Sequence, residues 1–118
     1  MGTVFKEQEA PTENVAGMGD SFPVHRIYCV GQNYANHVRE KGANPERESS
    51  FFFSKLADAV CSEGTQLPYP IATTNLNHEV ELIVAVVKNG TNITASEALD
   101  YVFAYAVGMD LTRRNLQK

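Results

Sequence analysis

No run of apolar residues in this 118-residue sequence approaches the roughly 20 that a helix needs to cross a bilayer, so no membrane partner is expected. Positive charge is short as well. The net charge is −4 and no basic cluster interrupts the chain, which argues against nucleic acid as a partner. Near the start, Lys6, Glu7 and Glu9 stand where a secretory signal needs an apolar core, so a cytoplasmic location is expected. Met1-Gly2 is followed by Lys6 rather than a Ser or Thr, which removes the myristoylation pattern. Cysteine is limited to Cys29 and Cys61. In a chain without an export signal they are not expected to pair, and Cys29, within a strand-like run, reads as a small core residue. The same reasoning turns Asn89-Gly90-Thr91 and Asn92-Ile93-Thr94 from glycosylation acceptors into turn chemistry. Internal repeats and low-complexity tracts are absent.

What is there has the balance of one globular domain, with 43% hydrophobic and 20% charged residues. Residues 1–21 mix Pro11, Gly17, Gly19 and acidic residues without any period and read as a flexible arm. Val24–Val30 reads as a strand, and Gly31 breaks it. Asn33 is placed to cap a short helix through Tyr34, His37, Val38 and Glu40, ended by Gly42. Phe51-Phe52-Phe53-Ser54-Lys55 is a short aromatic strand, and Pro68-Tyr69-Pro70 is extended. Val, Ile and Leu dominate Glu79–Val87, a strand, after which Asn89-Gly90 signals a turn or hairpin. Thr94-Ala95-Ser96-Glu97 is a capping box opening a helix from Ala95 to about Val102. Tyr101–Asp110 fits helix or strand, and the alternation of Ala104, Ala106, Gly108 and Asp110 favours strand. A further helix is expected to start at Thr112.

The chemistry gathers on two of these elements. Glu79 and Glu81 share one face of their strand about 7 Å apart, and Asp110 closes a run whose same-parity residues are small. Three carboxylates without Cys or His form an all-oxygen donor set suited to Mg²⁺, Mn²⁺ or Ca²⁺ rather than zinc. Glu-x-Glu on a strand is also what an ordinary solvated face looks like. His37 and Glu40, three apart on a helix, are within reach of each other. A carboxylate on one imidazole nitrogen raises the basicity of the other and equips it to activate water, although the same spacing describes a plain surface contact. Lys55 points its ammonium at an anionic ligand or snorkels to solvent.

In sequence, Gly31-Gln32-Asn33-Tyr34-Ala35-Asn36-His37-Val38-Arg39-Glu40 resembles the Gly-x-Asn-Tyr-x-x-His-x-x-Glu signature of the fumarylacetoacetate hydrolase family. Phe52-Phe53-Ser54-Lys55 is similar to its Phe-x-Lys-Pro element, with Leu56 where proline is usual. His78-Glu79-Val80-Glu81-Leu82 resembles its Glu-x-Glu-Leu strand, and Asp110–Gln117 its Asp-x-x-x-Arg-x-x-Gln element. These motifs occur in the family's order, and within the family residues 22–31 and 105–114 look most like bacterial fumarylpyruvate hydrolases.

The resemblance implies an α+β, mostly β fold: the N-terminal part of a mixed β-roll with short peripheral helices, over residues 22–118. It also implies Mg²⁺ or Mn²⁺ on Glu79, Glu81 and Asp110, a water activated by His37 with Glu40, and a substrate held by Lys55, Arg114 and Gln117. The implied reaction is hydrolysis of a carbon–carbon bond in an acylpyruvate, fumarylpyruvate giving fumarate and pyruvate, by a homodimeric cytoplasmic enzyme of gentisate breakdown. Decarboxylation or isomerisation of a 2-oxo diacid on the same scaffold, or an inactive fragment that associates with other subunits, are the alternatives.

Overall fold

The computed structural model describes residues 1–34, Gly42 and 50–117. Among the described residues the regular structure is six β-strands and three short 3₁₀ turns. The strands pair as three antiparallel two-stranded sheets, and the chain divides into two units, residues 1–66 and 67–118.

In the first unit, Thr12–Asn14 (β1) pairs with Ser21–Pro23 (β2), so the segment expected to be an arm carries a small hairpin. Val24 extends that hairpin by donating its backbone N–H to the Pro11 carbonyl at 2.8 Å. For this reason the next strand, β3, begins at Ile27 instead of Val24 and runs to Gly31. β3 pairs with Phe51–Lys55 (β4), which places Gly31 opposite Phe51 and Cys29 opposite Phe53. The Phe51 ring lies across Gly31 in the space a side chain there would need, so Gly31 closes the strand as a surface for an aromatic ring. Cys29 is half-buried in β3, and the two cysteines are not paired with each other.

The second unit is built on one long ribbon, Leu76–Val86 (β5) against Val102–Arg113 (β6), with a bulge between Ala85 and Val86. The strand reading of the Tyr101–Asp110 run holds. The two helices expected on either side of it do not form. After Thr94–Glu97 only a 3₁₀ turn, Ala98–Tyr101, is made. The Thr94 hydroxyl bonds the Glu97 carboxylate at 2.7 Å rather than a backbone N–H, and Val87 donates to the Tyr101 carbonyl at 2.9 Å. The β-branched and aromatic run that follows draws the chain into the ladder before a helical turn is complete. Asn89-Gly90 makes no tight hairpin. It belongs to the long connection from Val86 to Val102, where Gly90 has the side chains of Ile93 and Tyr101 close above it and the Lys88 ammonium sits over the Tyr101 ring at 5.4 Å. Beyond β6, strand pairing again overrides the expected helix. The Arg114 N–H donates to the Asn75 carbonyl at 2.8 Å, and only a 3₁₀ turn, Arg114–Leu116, ends the described chain.

Alternation divides the ribbon into two chemically distinct faces. One carries Glu79, Glu81, Ile83 and Ala85 with Ala104, Ala106, Gly108 and Asp110. The other carries Val80, Leu82, Val84 and Val86 with Phe103, Tyr105, Val107 and Met109, all of them exposed. Leu67, Pro68, Tyr69 and Pro70 shelter one end of this apolar face, forming a hollow of about 270 Å³ with Leu76 and Leu111. Tyr69 anchors that segment by accepting the Leu76 N–H on its hydroxyl at 3.2 Å.

Thr73 is the buried polar residue of this unit, and its hydroxyl bonds Asn115 while accepting the Asn75 N–H. These bonds fasten the turn that bears Arg114 to the start of β5. Thr73→Val is therefore expected to cost about 1 kcal/mol by leaving polar groups of Asn115 and Asn75 without this partner. Chemical denaturation of the two proteins measures that difference, and equal midpoints would show that the fastening contributes nothing.

Candidate metal centre

Antiparallel register decides which acidic groups share the ribbon's small-residue face. Glu79 stands directly opposite Asp110, and Glu81 directly opposite Gly108. Cross-strand partners project to the same side, and in such pairs their Cα atoms lie about 4.5–5.5 Å apart. Glu79, Glu81 and Asp110 thus project from one face within a single turn of the pleat, each half-buried. Gly108, between Asp110 and Ala106 on β6, leaves the space opposite Glu81 free of side-chain bulk except for Ile83, whose Cδ1 lies over it.

Arg114 reaches the same face from the end of β6. Its Nη2 donates to Glu79 Oε1 at 2.9 Å and its Nη1 to Gln117 Oε1 at 3.0 Å. The Arg114 and Glu79 side chains are 29% and 30% exposed, so this ion pair is only partly screened by solvent. Of the residues singled out in the sequence, the structure joins Glu79, Arg114 and Gln117 by direct contact and brings Glu81 and Asp110 to the same face. Lys55 ends β4 opposite Ile27, half-buried, in the other unit. His37 and Glu40 lie outside the described residues.

The donor set suits a hard divalent cation: three carboxylates, no sulfur, and the small residues Ala104, Ala106 and Gly108 on the same face. Backbone placement suits it too. The side chains, however, do not close on one point, since among the described residues no three His, Cys, Asp or Glu groups form a shared coordination sphere. In this structure the Glu79 carboxylate is turned to Arg114.

Reading the sequence alone misses the Thr73–Asn115 bond and the Arg114–Glu79 contact. The second had a signal. Carrying strand parity past Asp110 puts Thr112 and Arg114 on the acidic face, whereas the helix expected there obscures it.

Against known proteins, a sequence model described as fumarylacetoacetate (FAA) hydrolase C-terminal matches residues 26–118. The chain belongs to the fumarylacetoacetate hydrolase family. Among structures of this family, it is similar to fumarylpyruvate hydrolase from Pseudomonas aeruginosa, solved in complex with Mn²⁺ and pyruvate. The identity is 45% and the TM-score 0.91, over 98% of this chain and 52% of that one. It is 41% identical over 91 residues to the mitochondrial oxaloacetate tautomerase FAHD1 of Bos taurus, covering 77% of this chain and 41% of that protein. It is also 37% identical over 93 residues to the mitochondrial oxaloacetate decarboxylase of Dictyostelium discoideum, covering 78% of this chain and 42% of that protein. The chain therefore spans about half the length of the structural relative and about two-fifths of these curated relatives. Its mostly β architecture with short helical turns is that of a fumarylacetoacetate hydrolase family member.

The space opposite Glu81 gives a direct test of the acidic face. Gly108→Val places a branched side chain there, against Ile83. Calorimetric titration with Mn²⁺ is expected to show binding weakened about tenfold, the scale on which supporting groups act at metal sites. Unchanged affinity would remove this face from the metal centre.

Proposed function

We propose that this chain carries the metal-binding and substrate-anchoring half of an acylpyruvate hydrolase, with fumarylpyruvate as the substrate. The observation that carries the reading is the register of β5 and β6, which sets Glu79 opposite Asp110 with Glu81 alongside, and with Arg114 and Gln117 joined to Glu79. Glu79, Glu81 and Asp110 are the ligands for Mg²⁺ or Mn²⁺, and the similar Pseudomonas aeruginosa enzyme, in complex with Mn²⁺ and pyruvate, supports a divalent ion. Bound there, a divalent cation supplies Lewis-acid stabilisation for negative charge developing on a 2-oxo acid as its carbon–carbon bond breaks.

The chain's own residues do the rest. The Arg114 guanidinium offers a planar fork of N–H donors matched to the substrate carboxylate, and the Gln117 amide fixes the fork's orientation. Lys55 supplies a further cation for the oxo and carboxylate groups. His37, its basicity raised by Glu40, removes a proton from the water that attacks the distal carbonyl. The roles of His37, Glu40 and Lys55 are supported by their positions in the family's motifs. Fumarate and pyruvate are the products, and the reading assigns the reaction to gentisate breakdown in the cytoplasm on the resemblance alone. The working unit is read as a homodimer, which rests on the resemblance to the family.

A second reading, tautomerisation or decarboxylation of oxaloacetate, is favoured by the sequence identity with the bovine tautomerase and the Dictyostelium decarboxylase. That chemistry needs charge stabilisation but no attacking water. Turnover of fumarylpyruvate and of oxaloacetate by the wild type and by His37→Ala separates the two. Hydrolysis is expected to fall about 10²–10⁴-fold in the variant, the usual contribution of a general base, while any action on oxaloacetate persists. EDTA should abolish both activities and Mn²⁺ should restore them. Hydrolysis that survives in His37→Ala would rule out the water-activating role.

A further inference from the structure

We propose that Arg114 is an internal counter-cation, occupying Glu79 while the metal centre is empty and giving it up to the divalent ion, so that ion binding releases the fork that receives the substrate's carboxylate. The inference rests on the assignment of Glu79 as a metal ligand. It adds an order of events, in which cation precedes anion.

Two features of the site lead to it. Glu79 already has a cation, with Arg114 Nη2 on its Oε1 at 2.9 Å. The three carboxylates share a face by register, yet among the described residues no such trio converges. Both follow if one carboxylate is held aside. Glu79 and Asp110 directly opposite each other repel, as like charges across a ladder do, and the guanidinium relieves that repulsion when no metal is present. A divalent ion relieves it more strongly and needs the same oxygen. Arg114 beside it then becomes a like charge, disfavoured at short range.

The arginine is well anchored for such an exchange. Its backbone N–H is bonded to Asn75 at 2.8 Å, and the Thr73–Asn115 bond secures the following residue. Its other nitrogen, Nη1, is held by Gln117 at 3.0 Å. Losing Glu79 would leave the guanidinium held at Nη1 by Gln117, with Nη2 available to an incoming carboxylate.

The test reads Mn²⁺ binding alone, by calorimetry and by the resonance signal of the free aqueous ion. Arg114→Gln is expected to bind Mn²⁺ about threefold more tightly than the wild type, the scale of a partly exposed ion pair. Arg113→Gln removes the same charge from the exposed opposite face of β6 and should leave affinity unchanged. Should Arg114→Gln fail to fold, Gln117→Ala loosens the same guanidinium without changing charge and should give a smaller gain. Affinity equal to or weaker than wild type in the folded variant overturns the proposal, and so does an equal gain in Arg113→Gln. Glu81→Gln tells this failure apart from failure of the ligand assignment. If Glu81→Gln loses Mn²⁺ while Arg114→Gln matches the wild type, only the counter-cation role falls. If neither the wild type nor Arg114→Gln binds Mn²⁺, both fall together.

Discussion

Everything distinctive about this chain depends on the register of one antiparallel ribbon. Setting Glu79 opposite Asp110 puts two like charges in a cross-strand pair, an arrangement that ordinarily costs a fraction of a kcal/mol. The ladder holds it because shifting the strands by one residue would cost far more. Side chains alternate with a period of two, so a one-residue slip of β5 would move Glu79 and Glu81 to the side now occupied by Phe103, Tyr105, Val107 and Met109. The same slip would bring Val80, Leu82 and Val84 against Asp110 and its small neighbours. Apolar patterning on one face thereby fixes the position of acids on the other.

Small residues matter for a related reason. Ala104, Ala106 and Gly108 give the β6 side of the acidic face little bulk, so apart from Ile83 and Arg114 an approaching group meets carboxylates, small side chains and backbone. Gly108 is the tightest point, since Ile83 already fills the volume a Cβ would take. A face built this way has little hydrophobic reason to be covered.

The strands were legible where composition and parity agreed. Phe51–Lys55 and the central β5 run could be read from β-branched and aromatic content, and Tyr101–Asp110 from the spacing of its small residues. Local signals failed where pairing with a distant segment outweighed them. Thr94–Glu97 has the spacing of a capping box, but its hydroxyl and carboxylate bond each other while β6 claims the residues just beyond. A helix was expected from Thr112 onward, whereas Asn75 supplies a strand partner that no local pattern reveals. Much the same holds for the site. Glu79, Glu81 and Asp110 could be placed on shared faces from parity, and the alternation alone could not say that Glu79 and Asp110 would be register partners. The grip of Arg114 on Glu79 depends on where β6 ends, which is a property of the ladder and not of the residues at its tip.

The ribbon also links its own stability to what its acidic face holds. A two-stranded sheet is marginal in isolation, and here one side of it is a row of exposed apolar side chains, with Leu67–Pro70 sheltering one end. Any cation that binds the folded register and not the open chain stabilises that register in proportion to its affinity. Arg114 does this weakly from within, through a contact that is about 30% exposed and therefore screened. A divalent ion coordinated by both strands would do it more strongly, because its ligands come from β5 and β6 together and cannot be satisfied by either alone. For the proposed exchange, the intramolecular cation has to be strong enough to hold Glu79 before a metal arrives and weak enough to be displaced by it. That balance requires the Arg114–Glu79 pair to stay partly wet. Burying it would raise the cost of leaving Glu79 without its partner, and the arginine would then obstruct the metal it is placed to precede.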